Sequence, residues 1–175
     1  MTGNQINEHI KKDILIRRFT ALIIDYLILL IYAGVLFLLS PIVGPLFKES
    51  ALQSELLGLI LLVAPVFLYF SIFEASHLKA TPGKLLFHIT VIKIDGTNFK
   101  YKDSFIRSFV KLMPWEFAHF AIWQFVFPNS SLIFIAQIFV IISNILMILY
   151  IVFPFLNNKA RAIHDYAAQT RLIIK

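Results

Sequence analysis

Uncharged, largely apolar runs alternate with short charged segments along this chain. Phe19–Ser40 is interrupted by one charge, Asp25, whereas Leu56–Phe73 and Leu132–Phe153 carry none. About 20 apolar residues carry a helix across the roughly 30 Å hydrocarbon core of a bilayer, so each run is read as a membrane-spanning helix. A fourth run, Leu112–Phe127, is shorter and contains Glu116 and His119. Between Glu74 and Tyr101 the pattern changes. Thr81-Pro82-Gly83-Lys84 reads as a helix start, with Thr81 as cap and Pro82 at the first position. Phe87–Asp95 then alternates, and Asp95-Gly96 is a hairpin signal before Asn98–Lys102.

These periods predict an all-α membrane protein, a four-transmembrane-helix bundle with N and C termini cytoplasmic and a small cytoplasmic β-hairpin between helices 2 and 3. The helices fall at about 18–40, 56–75, 104–127 and 131–155, and the hairpin at about 85–102. Residues 1–16 form a cytoplasmic N-terminal segment, a short surface helix or a loose tail. Residues 17–175 form one membrane domain that ends in a tail at 156–175. Pro41, Gly44 and Pro45 stop the first helix in an outer loop, Pro41–Glu55. Pro65 predicts a kink in the second helix, tolerated where neighbours satisfy the carbonyl it frees. No internal repeat is evident, so the inverted-repeat signature of many secondary transporters is missing.

The fourth crossing rests on charge placement. Of 16 Lys and Arg, four precede Phe19, Lys48 lies between the first two runs, seven lie from Lys79 to Lys111, none lies in Pro128–Ser131, and four follow Phe153. With four crossings, fifteen of the sixteen are cytoplasmic, as the positive-inside rule prefers. With three, the tail bearing Lys159, Arg161, Arg171 and Lys175 would face outward, and a re-entrant or interfacial third segment is the competing arrangement.

Composition agrees: 59% of residues are hydrophobic and 15% charged, and the mean hydropathy is +0.80, far from a soluble domain of this length. The net charge of +6 then describes the cytoplasmic face, where anionic lipid headgroups attract each basic residue by about 1 kcal/mol. Nucleic acid is not an expected partner, because the basic residues flank the spans and form no compact basic domain. Zero cysteines exclude disulfides and thiolate metal sites. The first apolar run is too long, and lacks a small-residue cleavage site, for a removable signal peptide.

Asp25 is the first candidate for chemistry. A charge at that depth carries an insertion cost of about 2.5–3.5 kcal/mol, so it is normally kept for a partner or a task. Arg18 lies seven residues away, on the same face but about 10 Å along the axis. Asp25 must therefore find its partner elsewhere, with Arg107, Lys111, Arg161 and His164 as candidates. An inter-helix ion pair, a titrating transport site and a neutral hydrogen-bonded carboxyl all remain open. Glu116 and His119 share a helix face at a spacing used for metals in helical bundles. One pair offers too few ligands for a metal site, so a buried Glu–His hydrogen bond is the expectation, with His119 able to carry a proton. Gln137, Ser143 and Asn144 read as inter-helix hydrogen-bonders. Arg161 and Asp165 are spaced as a helical i,i+4 ion pair, and the polar string around them predicts docking onto the helix ends. Gly83-Lys84 is not a phosphate loop, since positions 78 and 85 are both Leu. No nucleophile-turn signature is present. Neither an enzyme nor a cofactor is expected.

Arg18-Phe19-x-Ala21-x-x-x-Asp25, Glu74 followed by Ala80-Thr81-Pro82-Gly83-Lys84, a strand ending in Asp95-Gly96, Arg107, and Arg161-x-x-His164-Asp165-x-x-Ala168-x-Thr170 together resemble the RDD family. The family takes its name from one Arg and two Asp. The resemblance runs from about Arg17 to the C-terminus and assigns Arg18 and Asp25 to the first Arg and Asp, and Asp165 to the second Asp. Gln169 stands where Gly is common. The Pro114–His119 cluster is outside the family pattern. The resemblance implies a multi-pass protein of the bacterial plasma membrane, for which transport, including sodium–proton exchange, is the usual proposal.

Two functions compete. In the first, Asp25, Glu116 and His119 bind a cation or proton in a transport-related exchanger; four helices give little room for a pathway, so a homo-oligomer is expected. In the second, Arg18, Glu74, Asp25, Arg107, Lys111, Arg161, His164 and Asp165 form a structural cluster in a non-catalytic scaffold or accessory subunit that recruits another membrane protein. A lipid-headgroup enzyme would have only Glu116, His119 and His164 for chemistry, and is disfavoured.

Overall fold

The computed structural model describes residues 3–47, 50–127 and 131–175. Lys48 and the stretch 128–130, both used in the charge tally, lie outside the described residues. Helix α1 runs unbroken from Gly3 to Leu38, so the polar lead and the first apolar run form one rod. A short helix α2 (Ser40–Val43) and a 3₁₀ turn (Gly44–Phe47) follow. Helix α3 (Ala51–Gly58), a π-helical turn (Leu59–Val63) and α4 (Ala64–Ala75) make the second rod. Then come α5 (Pro82–Leu86), strand β1 (Ile89–Lys93), α6 (Tyr101–Val126), α7 (Ile133–Leu156), α8 (Ile163–Ala167) and strand β2 (Thr170–Ile174).

By length and composition 3 helices are able to cross a membrane: Glu8–Leu38, Ala51–Ala75 and Ile133–Leu156. Their outward faces are apolar, with Leu30, Ile31, Phe134 and Ile148 exposed, as lipid contact requires. Helix α6 is 26 residues long but carries Asp103, Arg107, Lys111 and Glu116. It packs against α7 and α4, while α1 packs against α5.

Two tyrosines repair the proline interruptions. Pro65 has no N–H to give the Leu61 carbonyl in α-helical register, and that carbonyl accepts from the Tyr32 hydroxyl of α1 at 2.5 Å. Pro114 likewise leaves the Val110 carbonyl without its helical donor, and the Tyr150 hydroxyl of α7 fills it. Backbone groups freed by proline at membrane depth need such replacements. Where the sequence predicts a kink at Pro65, the second rod has a π-helical turn just before that residue.

The expected 85–102 hairpin does not form. Asp95-Gly96 does turn: Gly96 has φ 75°, and Asp95 Oδ1 accepts from the Thr97 amide at 3.0 Å and hydroxyl at 2.7 Å. Tyr101 instead begins α6, because Asp103 Oδ2 accepts the Lys100 amide at 2.9 Å and so caps the helix where a second strand was expected. The partner of β1 is the tail: β1 and β2 are antiparallel, with Ile89 opposite Ile174, Val91 opposite Leu172 and Lys93 opposite Thr170. The other edge of β1 is also occupied, since the Val91 amide donates to the Lys79 carbonyl at 3.0 Å. Ile89, Val91, Phe99 and Leu172 pack with Ala21 of α1 into the small core. Gln169, where the family pattern favours Gly, turns the chain into β2 at φ 53°. That left-handed backbone costs a side-chain-bearing residue about 1 kcal/mol.

Tyr32→Phe and Tyr150→Phe should each lower the unfolding free energy in detergent by about 1 kcal/mol, by stranding a carbonyl. Denaturant titration of the single variants checks this; unchanged midpoints would mean the carbonyls find other donors.

Candidate functional site

The charged residues gather where the tail meets the helix ends. Glu74, on the last turn of α4, is fully buried. Its Oε1 accepts from Lys84 Nζ at 2.5 Å and Lys111 Nζ at 3.0 Å, and its Oε2 from Arg107 Nε at 2.8 Å. Arg107 is also fully buried, and its Nη1 donates to Asp165 Oδ1 and to the Thr170 hydroxyl. Arg18 Nη2 donates to Asp165 Oδ2, which also accepts the Ala162 amide at 2.7 Å and so caps α8. One guanidinium thus joins α4, α6, α8 and β2, and one carboxylate joins the tail to α1 and α6. The expected docking of the tail takes this form.

Asp25 stands at the edge of this cluster and makes no ion pair with Arg107, Lys111, Arg161 or His164. The first two are engaged by Glu74 and Asp165. Instead Oδ1 accepts from the Tyr69 hydroxyl at 2.7 Å and the Gly83 amide at 2.9 Å, and Oδ2 from the Thr81 hydroxyl at 2.6 Å. Thr81 caps α5 as its sequence position suggests, and the same hydroxyl reaches α1. Gly83 is required by contact: a Cβ there would lie 2.1 Å from the Ala21 carbonyl oxygen and 2.8 Å from Asp25 Oδ1. Three neutral donors hold this carboxylate.

The Arg161–Asp165 pair is also corrected. Arg161 Nε donates to the Thr170 carbonyl at 3.0 Å and Nη2 to the Asp165 carbonyl at 3.2 Å, while the guanidinium lies 3.7 Å over the Tyr166 ring. Arg18 and Arg107 have taken the Asp165 side chain. His164 is largely but not fully covered, with Nε2 3.9 Å from Asp165 Oδ1. Burial drives its pKa well below the usual value, more than Asp165 raises it, so the ring is neutral near pH 7. Burial pushes the Lys84 ammonium down to about 8 against the pull of Glu74. Burial alone would raise the Asp165 carboxyl, but Arg18 and Arg107 outweigh it and hold the group well below the usual carboxylate range.

Glu116 and His119 are elsewhere. Twelve residues separate Arg107 from His119 on α6, about 18 Å along the axis. There Glu55 of α3 joins them, with one donor atom from each of the three within 4.8 Å of the others. His119 Nδ1 lies 3.4 Å from Glu55 Oε1 and 3.7 Å from Glu116 Oε2. Trp123 Nε1 donates to His119 Nε2 at 3.1 Å. A neutral ring therefore carries its proton on Nδ1, which directs an N–H, rather than a lone pair, at the carboxylates. This suits proton sharing better than metal ligation. Gly58 makes room for the ring, since a Cβ there would lie 2.3 Å from Nε2. The expected Glu116–His119 hydrogen bond is not made: the two stand 3.7 Å apart, because His119 also faces Glu55, and the pair is part of a three-residue set. Ser143 donates to the Pro114 carbonyl at 2.6 Å across helices, whereas Asn144 bonds within α7, to the Val140 carbonyl at 2.8 Å.

Tyr69, Glu55 and Trp123 were not singled out by sequence, and Lys84 and Thr170 entered only as members of the family pattern, without a site role. Of the first three only Glu55 carried a signal, as an acid at the foot of an apolar run. A family model described as the RDD family matches residues 14–169. No curated protein and no solved structure matches the chain.

Asp165→Asn should remove about 3–5 kcal/mol of stability near neutral pH, because Arg18 and Arg107 stay buried without their carboxylate. A carboxyl depressed by folding contributes above its unfolded pKa of about 3.9, and loses that contribution as pH falls through the folded value. The wild type should therefore have an acid limb, below about pH 3.9, that is reduced in the variant. Unfolding at a series of pH values reads both; parallel curves of equal height would contradict the arrangement.

Proposed function

The chain belongs to the RDD family, and from that membership and the fully engaged carboxylates of its polar cluster we propose a non-catalytic scaffold or accessory subunit of the bacterial plasma membrane. Helix α6 is the fourth crossing and both chain ends are cytoplasmic. Supporting this topology, fifteen of the 16 basic residues then share one side, and two of the charges of α6, Arg107 and Lys111, are paired with Glu74. At about 39 Å, its 26 residues are long enough to cross.

The observation that carries the scaffold reading is the state of the carboxylates. Glu74 and Asp165 are saturated by cations, and Asp25 by three neutral donors, Tyr69 on α4 and Thr81 and Gly83 at the start of α5. A carrier must let its ligand in and out; releasing Asp25 means undocking α5 from α1. The cluster acts as a clamp that fixes the β1–β2 platform, and a partner membrane protein reads that platform.

One observation favours a second reading. Glu55 Oε2, Glu116 Oε2 and His119 Nδ1 are buried and lack hydrogen-bond partners. Cation–proton exchange, if present, runs through this set rather than through Asp25.

The chain has no cysteine, so single introduced thiols report topology directly. A cysteine at Ser131 should label only from outside and one at Lys175 only from the cytoplasm; the reverse pattern, which three crossings would give, or labelling of both from one side would exclude this topology. In proteoliposomes Asp25→Asn should be clearly less stable and show no altered cation-dependent proton movement. A stable Asp25→Asn variant that loses such movement would overturn the scaffold reading. Loss in Glu116→Gln alone would establish the second.

A further inference from the structure

A cavity of about 300 Å³ lies behind the clamp, between α1, α6 and α7. One side is cationic: Arg18, Lys84, Arg107 and Lys111 all line it, with Asp25 as the only acidic lining residue among the described residues. The opposite side is apolar. Tyr26, Trp115, Met147 and Ile151 line it and are themselves exposed on the outer surface, so the cavity opens sideways, toward where acyl chains lie.

The charges do not balance. The four cations face three carboxylates, Glu74, Asp165 and Asp25, which leaves one positive charge in excess among side chains that are mostly covered. Uncompensated buried charge is strongly unfavourable, and a bound counter-anion relieves it. Two unused polar atoms mark the same place. Arg18 Nε is buried without a hydrogen-bond partner, as is His164 Nδ1 of the same cavity. Lys111 makes one hydrogen bond, to Glu74, and rests over the Phe70 ring at 3.9 Å, which leaves ammonium donors for a ligand.

We propose that this cavity is a binding site for one anionic phospholipid, with its phosphodiester against Arg18, Lys84 and Lys111 and the start of an acyl chain leaving between α1 and α7 past Tyr26, Met147 and Ile151. A phosphodiester monoanion cancels the single excess charge, and the amphipathic lining matches a headgroup joined to a chain. A free phosphate would satisfy the cations and leave the apolar mouth without a role. The site requires the membrane reading but not the scaffold role, and it differs from general attraction of lipid to basic loops in being one defined position per chain.

The test is thermal unfolding of the purified full chain in a neutral detergent, titrated with phosphatidylglycerol, phosphatidylcholine or inorganic phosphate. Phosphatidylglycerol should raise the melting temperature saturably, phosphatidylcholine should not, and phosphate should act only weakly. Met147→Trp, which fills the mouth without touching the clamp, and Lys111→Gln, which leaves Glu74 with Arg107 and Lys84, should each raise the half-saturating lipid concentration at least tenfold. Carbonate-resistant membrane association of both variants separates a lost lipid site from lost insertion. An equal response to phosphatidylcholine, an unchanged half-saturation in both variants, or a response to phosphate without one to phosphatidylglycerol would each overturn the lipid site.

Discussion

The buried Arg107 guanidinium is the constraint on which the rest of the structure depends. A permanently charged group on a helix among apolar helices needs carboxylates at fixed positions, and α6 alone cannot supply them. Glu74 comes from the end of α4 and Asp165 from the tail. Satisfying Arg107 therefore brings the second rod, the third long helix and the last residues of the chain to one point. Arg18 then ties α1 to the same carboxylate. The pairing is costly to desolvate and weak as a source of net stability, but removing any one member leaves a buried charge behind. Such a cluster specifies arrangement more than it adds energy.

From that point the small sheet follows. With Asp165 held, α8 is capped and Thr170 lies against Arg107, so β2 starts in register with β1. The sheet in turn places residues 79–83 against α1, where Asp25 collects the donors of Tyr69, Thr81 and Gly83. Asp25 thus closes the structure as an acceptor. Its depth in an apolar run invites a transport role, but its surroundings are those of a hydrogen-bonded joint between α1, α4 and α5. A second group of titratable side chains, Glu55 of α3 with Glu116 and His119 of α6, keeps one unpartnered polar atom on each residue.

Much of this was legible in the sequence, for identifiable reasons. The apolar runs reported themselves by length, Asp25 by its isolation, and Thr81-Pro82 by cap chemistry. The family pattern gathered Arg18, Glu74, Arg107 and Asp165, which do meet. What failed was pairing across long separations. The local i,i+4 rule joined Arg161 to Asp165, but Arg107, 58 residues away, wins the carboxylate because it has no water to fall back on, while Arg161 has Tyr166 and two carbonyls. Asp95-Gly96 turned as expected, yet Asp103 made its flank a helix start and the partner strand came from the tail. Glu55 was hidden because an acid beside a loop looks solvated until α6 brings His119 against it.

The central claim, that Arg107 and Asp165 act as one unit in holding the tail to the helices, is tested most directly by a double-mutant cycle. Unfolding free energies of the wild type, Arg107→Gln, Asp165→Asn and the double variant, measured in one detergent, give the coupling. A coupling of about 1–3 kcal/mol, with the double variant less damaged than the sum of the singles, is the expected result. Effects that add to within about 0.5 kcal/mol would contradict the clamp.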